Sequence, residues 1–244
     1  MKRLVLALGV AALAFPALAG EVKVAVASNF TAVAEAIAAA FGAKNGNQVA
    51  LSFGSSGALY AQISQGAPFE VLLSADAAKP KAAIDEGHAV EGTEFTYAMG
   101  TLVLYSPTLD LTSGLKVLNA NAFSHLAIAD PKTAPYGAAA SFALAALGLK
   151  DKIADKLVVG ENVGQTLQFV ESGNAELGFV AQSQVLGKDP ARLWVLPKGL
   201  YQPIQQDAVL LNPGATDPAA AAFLDFLKSD EAKALISAGG YTLP

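Results

Sequence analysis

Strand patterns that run directly into helix patterns recur along this chain and limit its fold more than any other feature. Residues 22–26 alternate apolar and polar or small side chains, as a half-buried strand does. A short turn at 27–31 follows, and residues 32–41 then show the apolar spacing of an amphipathic helix. Alternation of this kind predicts an α/β protein with mostly parallel sheets and helices on their faces.

Three further strand patterns lead through a turn into a helix pattern, at 48–53, 125–129 and 157–159. Small or amide residues fill these turns, and one turn also carries a tyrosine. The first N–H groups of a helix lack internal partners, and the helix dipole is positive there. Each turn is therefore a potential anion site. The alternative for the first turn is that Ser28 or Asn29 caps its own helix.

Charge separates these four helix starts from the others. No Asp or Glu occurs at 29–34, 56–62, 136–143 or 162–168. Acidic residues are common in a first turn because they complement the dipole. Other helix patterns follow that habit, with acids at Asp76, Asp217, Asp230 and Glu231. The acid-free starts therefore indicate sites left open for an external anion, although Glu161 lies just outside the fourth.

The amino terminus has the parts of a secretory signal peptide over 1–19. Lys2 and Arg3 precede an apolar stretch at 4–13, and Ala17 and Ala19 supply the small residues of a cleavage site. An uncleaved membrane anchor is the alternative, but the apolar stretch is short for one. The chain has no cysteine, hence no lipoprotein attachment site and no disulfide framework. We predict a soluble protein exported to the periplasm.

Net charge restricts the partners of the protein. The formal net charge is −5, and it becomes −7 without the two basic residues of 1–19. Such a balance argues against nucleic acid or an anionic membrane surface as the partner. An anionic ligand would have to be captured locally, by donors aimed into a pocket.

The order of the patterns predicts two lobes joined by strands. A single long apolar strand at 98–105 would cross from one lobe to the other, and residues 205–211 would return. The predicted lobes are 20–103 with 205–244, and 104–204. Their sizes are typical of domains.

Six stretches along the chain have a distinctive form: VASNFT (26–31), FGSSGALYAQI (53–63), GAPFEVLLSAD (66–76), ADPKTAPYG (129–137), ENV (161–163) and LGFV (177–180). With these stretches the chain resembles the molybdate-binding proteins of bacterial ABC transporters, which belong to the extracytoplasmic solute-binding family. The resemblance implies a two-lobe periplasmic binding protein fold of type II, with each lobe a mixed sheet flanked by helices. It also implies molybdate or tungstate as the ligand, with no cofactor, and delivery to a permease that works with a cytoplasmic ATPase. We expect a monomeric carrier that is not embedded in the membrane.

The resemblance also implies which residues bind the oxyanion, namely Ser28, Asn29, Ser56, Tyr136 and Val163. These residues would contact the molybdenum of molybdate only through the oxygens of the anion. Some relatives place a binding tyrosine after the Gly-Phe-Val strand, where this chain has Ala181. We expect Tyr136 to supply the hydroxyl from the other side of the pocket, the alternative being that its ring only packs on the helix. Lys132 lies near Tyr136, and it would either touch the anion or stay in solvent.

Two other functions are weighed against this one. A ferric-iron or other small-anion binding protein is the first, but iron sites cluster tyrosines and carboxylates, and the tyrosines here are never adjacent in the sequence. The second is a hydrolase with Ser28 or Ser56 as nucleophile, which needs a positioned base. His88 and His125 lie outside the proposed ligand turns, and no Gly-x-Ser-x-Gly elbow is present. We therefore predict a binding protein and not an enzyme.

Overall fold

The computed structural model describes residues 20–244, so the predicted signal peptide lies outside the described residues. The strands and helices follow one another as β1 (Glu21–Ala27), α1 (Thr31–Asn45), β2 (Gln48–Gly54), α2 (Ser56–Ser64), β3 (Val71–Leu73), α3 (Ala78–Asp85), β4 (Phe95–Gly100), β5 (Leu102–Tyr105), α4 (Gly114–Ala120), β6 (Leu126–Ala129), α5 (Pro135–Ala146), β7 (Leu157–Gly160), α6 (Val163–Glu171), β8 (Leu177–Ala181), β9 (Leu193–Val195), β10 (Ile204–Leu210), α7 (Pro218–Phe226) and α8 (Asp230–Ala238). None of the helices in this part of the chain has both the length and the apolar character needed to cross a bilayer.

The first sheet has the strand order β2-β1-β3-β10-β4. β1 pairs in parallel with β2 and β3, and β10 is antiparallel to β3 and β4. Successive side chains of a strand point to opposite faces. Val24 and Val26 accordingly pack in the core beneath α1, α7 and α8, while Ala25 packs in a smaller core beneath α2 and α3.

The second sheet has the order β7-β6-β8-β5-β9. β6 runs parallel to β7 and β8, whereas β5 is antiparallel to β8 and β9. The helices α5 and α6 lie against β6 and β8 and share one continuous apolar core with them. Each mixed sheet with its helices forms one lobe, which confirms the predicted α/β class and two-lobe architecture.

The apolar run at 98–105 was predicted as one strand, and that prediction is wrong. Its first half ends β4, which pairs with β10, and its second half is β5, which pairs with β8 and β9. The chain therefore changes sheets at Thr101 and returns between β9 and β10. No residue in either half is exposed, so hydrophobicity alone does not reveal where the partner changes. The lobe limits at 103/104 and 204/205 stay a prediction.

Candidate functional site

Strand-to-helix turns from both lobes meet around one small cavity. Its polar side chains come from Ser28, Asn29, Ser55, Ser56 and Tyr136, and the other lining residues are Val163, alanines, a glycine and a proline. All five residues predicted to bind the anion are thus brought together. The cavity volume is about 10 Å³, which is close to the room that one water-sized group needs. A space of this size excludes sugars and peptides.

The position of the cavity follows from the two topologies. Ser28 comes directly after β1 and Ser55 directly after β2 in the first lobe. Tyr136 and Val163 begin the helices that follow β6 and β7 in the second lobe. In α/β sheets ligands bind outside the carboxyl ends of the strands. Here two such edges face each other, and the cavity lies between them.

Ser28 joins the two sides of the cleft. Its hydroxyl oxygen accepts the N–H of Gly164 at 3.3 Å, in the first turn of α6. It makes no capping hydrogen bond to α1, and neither does Asn29, so the capping alternative is wrong for both residues. The start of α6 is capped instead by Asn162, whose side-chain oxygen accepts the N–H of Gln165 at 3.1 Å.

The two serines at the start of α2 are buried and differ in their partners. The hydroxyl oxygen of Ser56 accepts the N–H of Ala75 at 2.9 Å, which leaves its proton free to donate. Ser55 is 5 % exposed, caps nothing, and its hydroxyl has no hydrogen-bond partner. Sequence reasoning missed Ser55 as a site residue, although the Ser-Ser pair at the end of β2 was a visible signal.

Asn29 is held in a buried network behind the cavity. Its side-chain nitrogen donates to Oε1 of Gln206 at 2.8 Å and to the hydroxyl of Tyr241 at 2.9 Å. Both amide hydrogens are therefore used, and the side chain has none left for an anion. The backbone N–H of Asn29, in the Ser28–Phe30 turn, is the group that remains for a ligand.

Tyr136 is buried, and its hydroxyl has no hydrogen-bond partner. A side chain at Gly100 would overlap this hydroxyl, so glycine at the end of β4 makes room for a tyrosine from the other lobe. Burial raises the pKa of Tyr136 well above its ordinary value of 10.0, and the neighbouring Tyr241, Tyr97 and Tyr201 raise it further. The phenol therefore keeps its proton and can act as a donor.

Among the described residues, none that lines the cavity carries a charge. Lys132 is exposed, its backbone N–H donates to Asp130, and it does not line the cavity. His88 and His125 lie near Glu86 and Glu176 and outside the cavity lining. Within residues 20–244 no group of three or more His, Cys, Asp or Glu residues is arranged to hold a metal ion.

A two-lobe α/β fold with an uncharged, donor-lined cleft defines a class of small-solute binding proteins. Residues 22–242 match the model of the bacterial extracellular solute-binding protein family, and the chain belongs to this family. Membership confirms the prediction of a solute-binding protein and not a hydrolase.

Particular relatives are molybdate-binding proteins. The chain is 52 % identical to the molybdate-binding protein ModA of Rhodobacter capsulatus, over 94 % of this chain and 91 % of the relative. It is 51 % identical to ModA of Azotobacter vinelandii, over 100 % and 98 % of the two chains. The solved periplasmic molybdate-binding protein of A. vinelandii superposes with a TM-score of 0.87 at 42 % identity, covering 91 % of this chain and 99 % of that one.

Proposed function

We propose that this protein captures molybdate between its lobes in the periplasm and delivers it, as a monomer, to an ABC permease. The observation that carries the proposal is the convergence of helix starts from both lobes on one small cavity without charged side chains. Relatives at about half identity named as molybdate-binding proteins support the choice of anion. Tungstate, which has the same shape and charge, is expected to bind as well.

The proposed contacts come from both lobes. The first lobe donates from the hydroxyls of Ser28, Ser55 and Ser56 and the backbone N–H of Asn29. The second lobe donates from Tyr136 and the backbone N–H of Val163. Each hydrogen bond to a charged group contributes about 1.5–3 kcal/mol. Half a dozen such bonds offset an association cost of about 4–15 kcal/mol only when the donors are already in place.

The hydrogen bonds already described supply that preorganisation. Ala75 fixes the oxygen of Ser56, and Gly164 fixes that of Ser28. Because donors come from both lobes, the anion stabilises the closed form, and closure is a state that a permease can recognise. A fully deprotonated oxyanion offers only acceptors and suits such a pocket, whereas the O–H of protonated phosphate finds few acceptors in it.

Ferric iron fits this site poorly. Iron prefers anionic ligands such as phenolates and carboxylates. Burial raises the pKa of Tyr97 and Tyr136 well above 10.0 and the pKa of Tyr241 to about 12, so all three phenols stay neutral. Neutral phenols donate to an anion and bind a cation weakly.

The test is native mass spectrometry of the freshly purified protein, followed by isothermal titration calorimetry with molybdate, tungstate, sulfate and phosphate. We expect a monomer that retains an oxyanion or takes up molybdate with a measurable heat, and little or no binding of phosphate. Absence of binding by every oxyanion would overturn the proposal.

Serine variants assign the donors. We expect Ser56→Ala and Ser55→Ala each to weaken molybdate binding about tenfold, because each removes one hydrogen bond to a charged group. Ser64→Ala is the matched control, since Ser64 lies in the same helix, is exposed, and bonds only to the carbonyl of Ala61. An unchanged affinity in either cavity variant would remove that serine from the site.

A further inference from the structure

Two buried polar groups without partners lie next to each other behind the cavity. One is the hydroxyl of Tyr136, and the other is the side-chain nitrogen Nε2 of Gln206, which is fully buried. A Cβ at Gly100 would overlap the hydroxyl and lie 2.8 Å from Nε2, so both atoms border the same point. Leaving two buried polar groups unpaired costs free energy, and such groups call for a physical reason.

The network around Asn29 fixes the orientation of the Gln206 amide. The hydroxyl of Tyr241 lies 2.7 Å from the carbonyl oxygen of Asn29, to which it donates, and it accepts from the side-chain nitrogen of Asn29. The same side-chain nitrogen of Asn29 also donates to the amide of Gln206. Because only the oxygen of that amide can accept, the Gln206 atom at 2.8 Å is Oε1. The hydroxyl of Tyr97 lies 3.2 Å from the same oxygen. Nε2 is thereby turned toward Tyr136.

A register shift lies at the same place in the sheet. Between Gln206 and Asp207 the pairing of β10 with β4 skips Tyr97, which is the extra residue and lies on β4. Such irregularities are common next to functional sites. Gln206 belongs to the first lobe and Tyr136 to the second, so the two groups meet only when the lobes are together.

We propose that Gln206 is a positioning residue for the anion: its amide donates to the phenol oxygen of Tyr136 and so directs the phenol proton to the oxyanion. The inference rests on the proposed function. A phenol has one proton and can accept as well as donate. Once Nε2 of Gln206 donates to the phenol oxygen of Tyr136, the phenol proton points into the cavity, where an oxyanion accepts it. The raised pKa of Tyr136 keeps that proton in place.

The test is a double-mutant cycle measured by calorimetry with molybdate. Gln206→Met removes the donor Nε2, and with it the oxygen that accepts from Asn29 and Tyr97, with little change in size. Tyr136→Phe removes the phenol oxygen. We expect each single variant to bind about tenfold more weakly. The double variant is expected to bind no more weakly than Tyr136→Phe, because Gln206 acts only through the hydroxyl. Gln205→Met is the control, since Gln205 is exposed on the same strand.

The outcomes separate the inference from the proposed function. Unchanged affinity in Gln206→Met, or losses that add fully in the double variant, would overturn the role of Gln206 while wild-type binding stands. Thermal unfolding without ligand checks that each variant folds. Should Gln206→Met not fold, Tyr136→Phe decides alone, because unchanged binding there excludes the phenol and with it the inference. If the wild-type protein bound no oxyanion, both proposals would fall together.

Discussion

The polar residues around the cavity are neutral groups whose protons are controlled by their neighbours. The hydroxyl of Tyr241 illustrates this, because it lies 2.7 Å from the carbonyl of Asn29 and 2.9 Å from the hydroxyl of Ser183. Its burial raises the pKa to about 12, although its hydrogen bonds with Ser183 and Asn29 lower it somewhat. The buried phenol of Tyr241 therefore keeps its proton near neutral pH and remains a hydrogen-bond donor.

The raised pKa of Tyr241 predicts a loss of stability at high pH. Below the ordinary value of 10.0 the phenol is neutral in both states, so its contribution is fully present. As the pH rises from 10 toward 12, the unfolded state loses this proton first, and stability falls. Tyr241→Phe has no phenol to ionise and does not lose stability in this way. We therefore expect the unfolding free energy of the wild type, relative to that of the variant, to fall by roughly 1 kcal/mol from pH 9 to pH 11.

Urea unfolding at pH 8, 9, 10 and 11 measures the gap between the two unfolding free energies. The comparison with the variant cancels other groups that titrate at high pH. A gap that stays constant over this range would mean that Tyr241 ionises equally in the folded and unfolded states.

The helix starts differ in how their first N–H groups are satisfied, and nearness to the cavity does not decide it alone. The start of α6 borders the cavity and is capped by Asn162, whereas α4 lies away from the cavity and has no side-chain cap. Among the described helices away from the cavity, α7 is capped by Asp217, which accepts the N–H of Ala219 at 2.8 Å, and α8 is capped by Ser229. The starts of α1, α2 and α5 border the cavity and have no side-chain cap. Their positive dipole ends and those first-turn N–H groups that have no protein acceptor therefore remain for a ligand, although the N–H of Gly57 in α2 is taken by Thr133.

An acid placed in the first turn of α2 should affect stability and binding in opposite directions. Ala58 is exposed and lies in this turn. Ala58→Glu complements the dipole, so we expect the unfolding free energy to rise by about 0.3–1 kcal/mol. The same charge repels the anion, and we expect molybdate binding to weaken about threefold at low ionic strength.

Ala58→Gln is the neutral control of nearly the same shape, and its affinity should match that of the wild type. Calorimetry repeated at high salt should remove most of the difference between the Glu and Gln variants. An unchanged affinity of Ala58→Glu at low salt would show that the start of α2 does not face the anion.

The lobes contact each other directly as well as through the proposed ligand. The N–H of Gly57 in α2 donates to the carbonyl of Thr133 at 2.8 Å, just before α5. The hydroxyl of Ser183, which follows β8, donates to the carbonyl of Asn29 at 2.9 Å. Such bonds stabilise the closed arrangement and bring the helix starts of the two lobes together.

A side chain at Gly57 should hinder closure. A Cβ there would lie 2.9 Å from the carbonyl oxygen of Thr133 and 3.0 Å from its Cα, and backbone atoms cannot move aside easily. We therefore expect Gly57→Ala to weaken molybdate binding about tenfold by reducing the population of the closed form. In the presence of molybdate, small-angle scattering should show a larger radius of gyration for Gly57→Ala than for the wild type.

Thr133→Ala is the matched control because it leaves the carbonyl of the same contact in place. Its affinity and radius of gyration should equal those of the wild type. Wild-type values for Gly57→Ala would show that this contact does not limit closure.

Local patterns predicted most of the elements and the position of the site. The strand pattern at 22–26 became β1, the helix pattern at 32–41 became α1, and the turns between such elements line the cavity. These predictions succeed because alternation and helical periodicity depend on residues near in sequence. The break at Thr101 was missed because a buried run looks alike whichever sheet it joins.

The sequence by itself determined the α/β class, the uncharged helix starts and the small polar residues at them, because each depends on neighbours within one or two turns of the chain. Only the tertiary structure decided which groups remain available for an anion. Asn29 loses its side-chain donors to Gln206 and Tyr241, which are 177 and 212 residues away, while Ser55 and Tyr136 keep theirs. Hydrogen bonds are directional and short-ranged, so their partners are settled only when distant segments pack together.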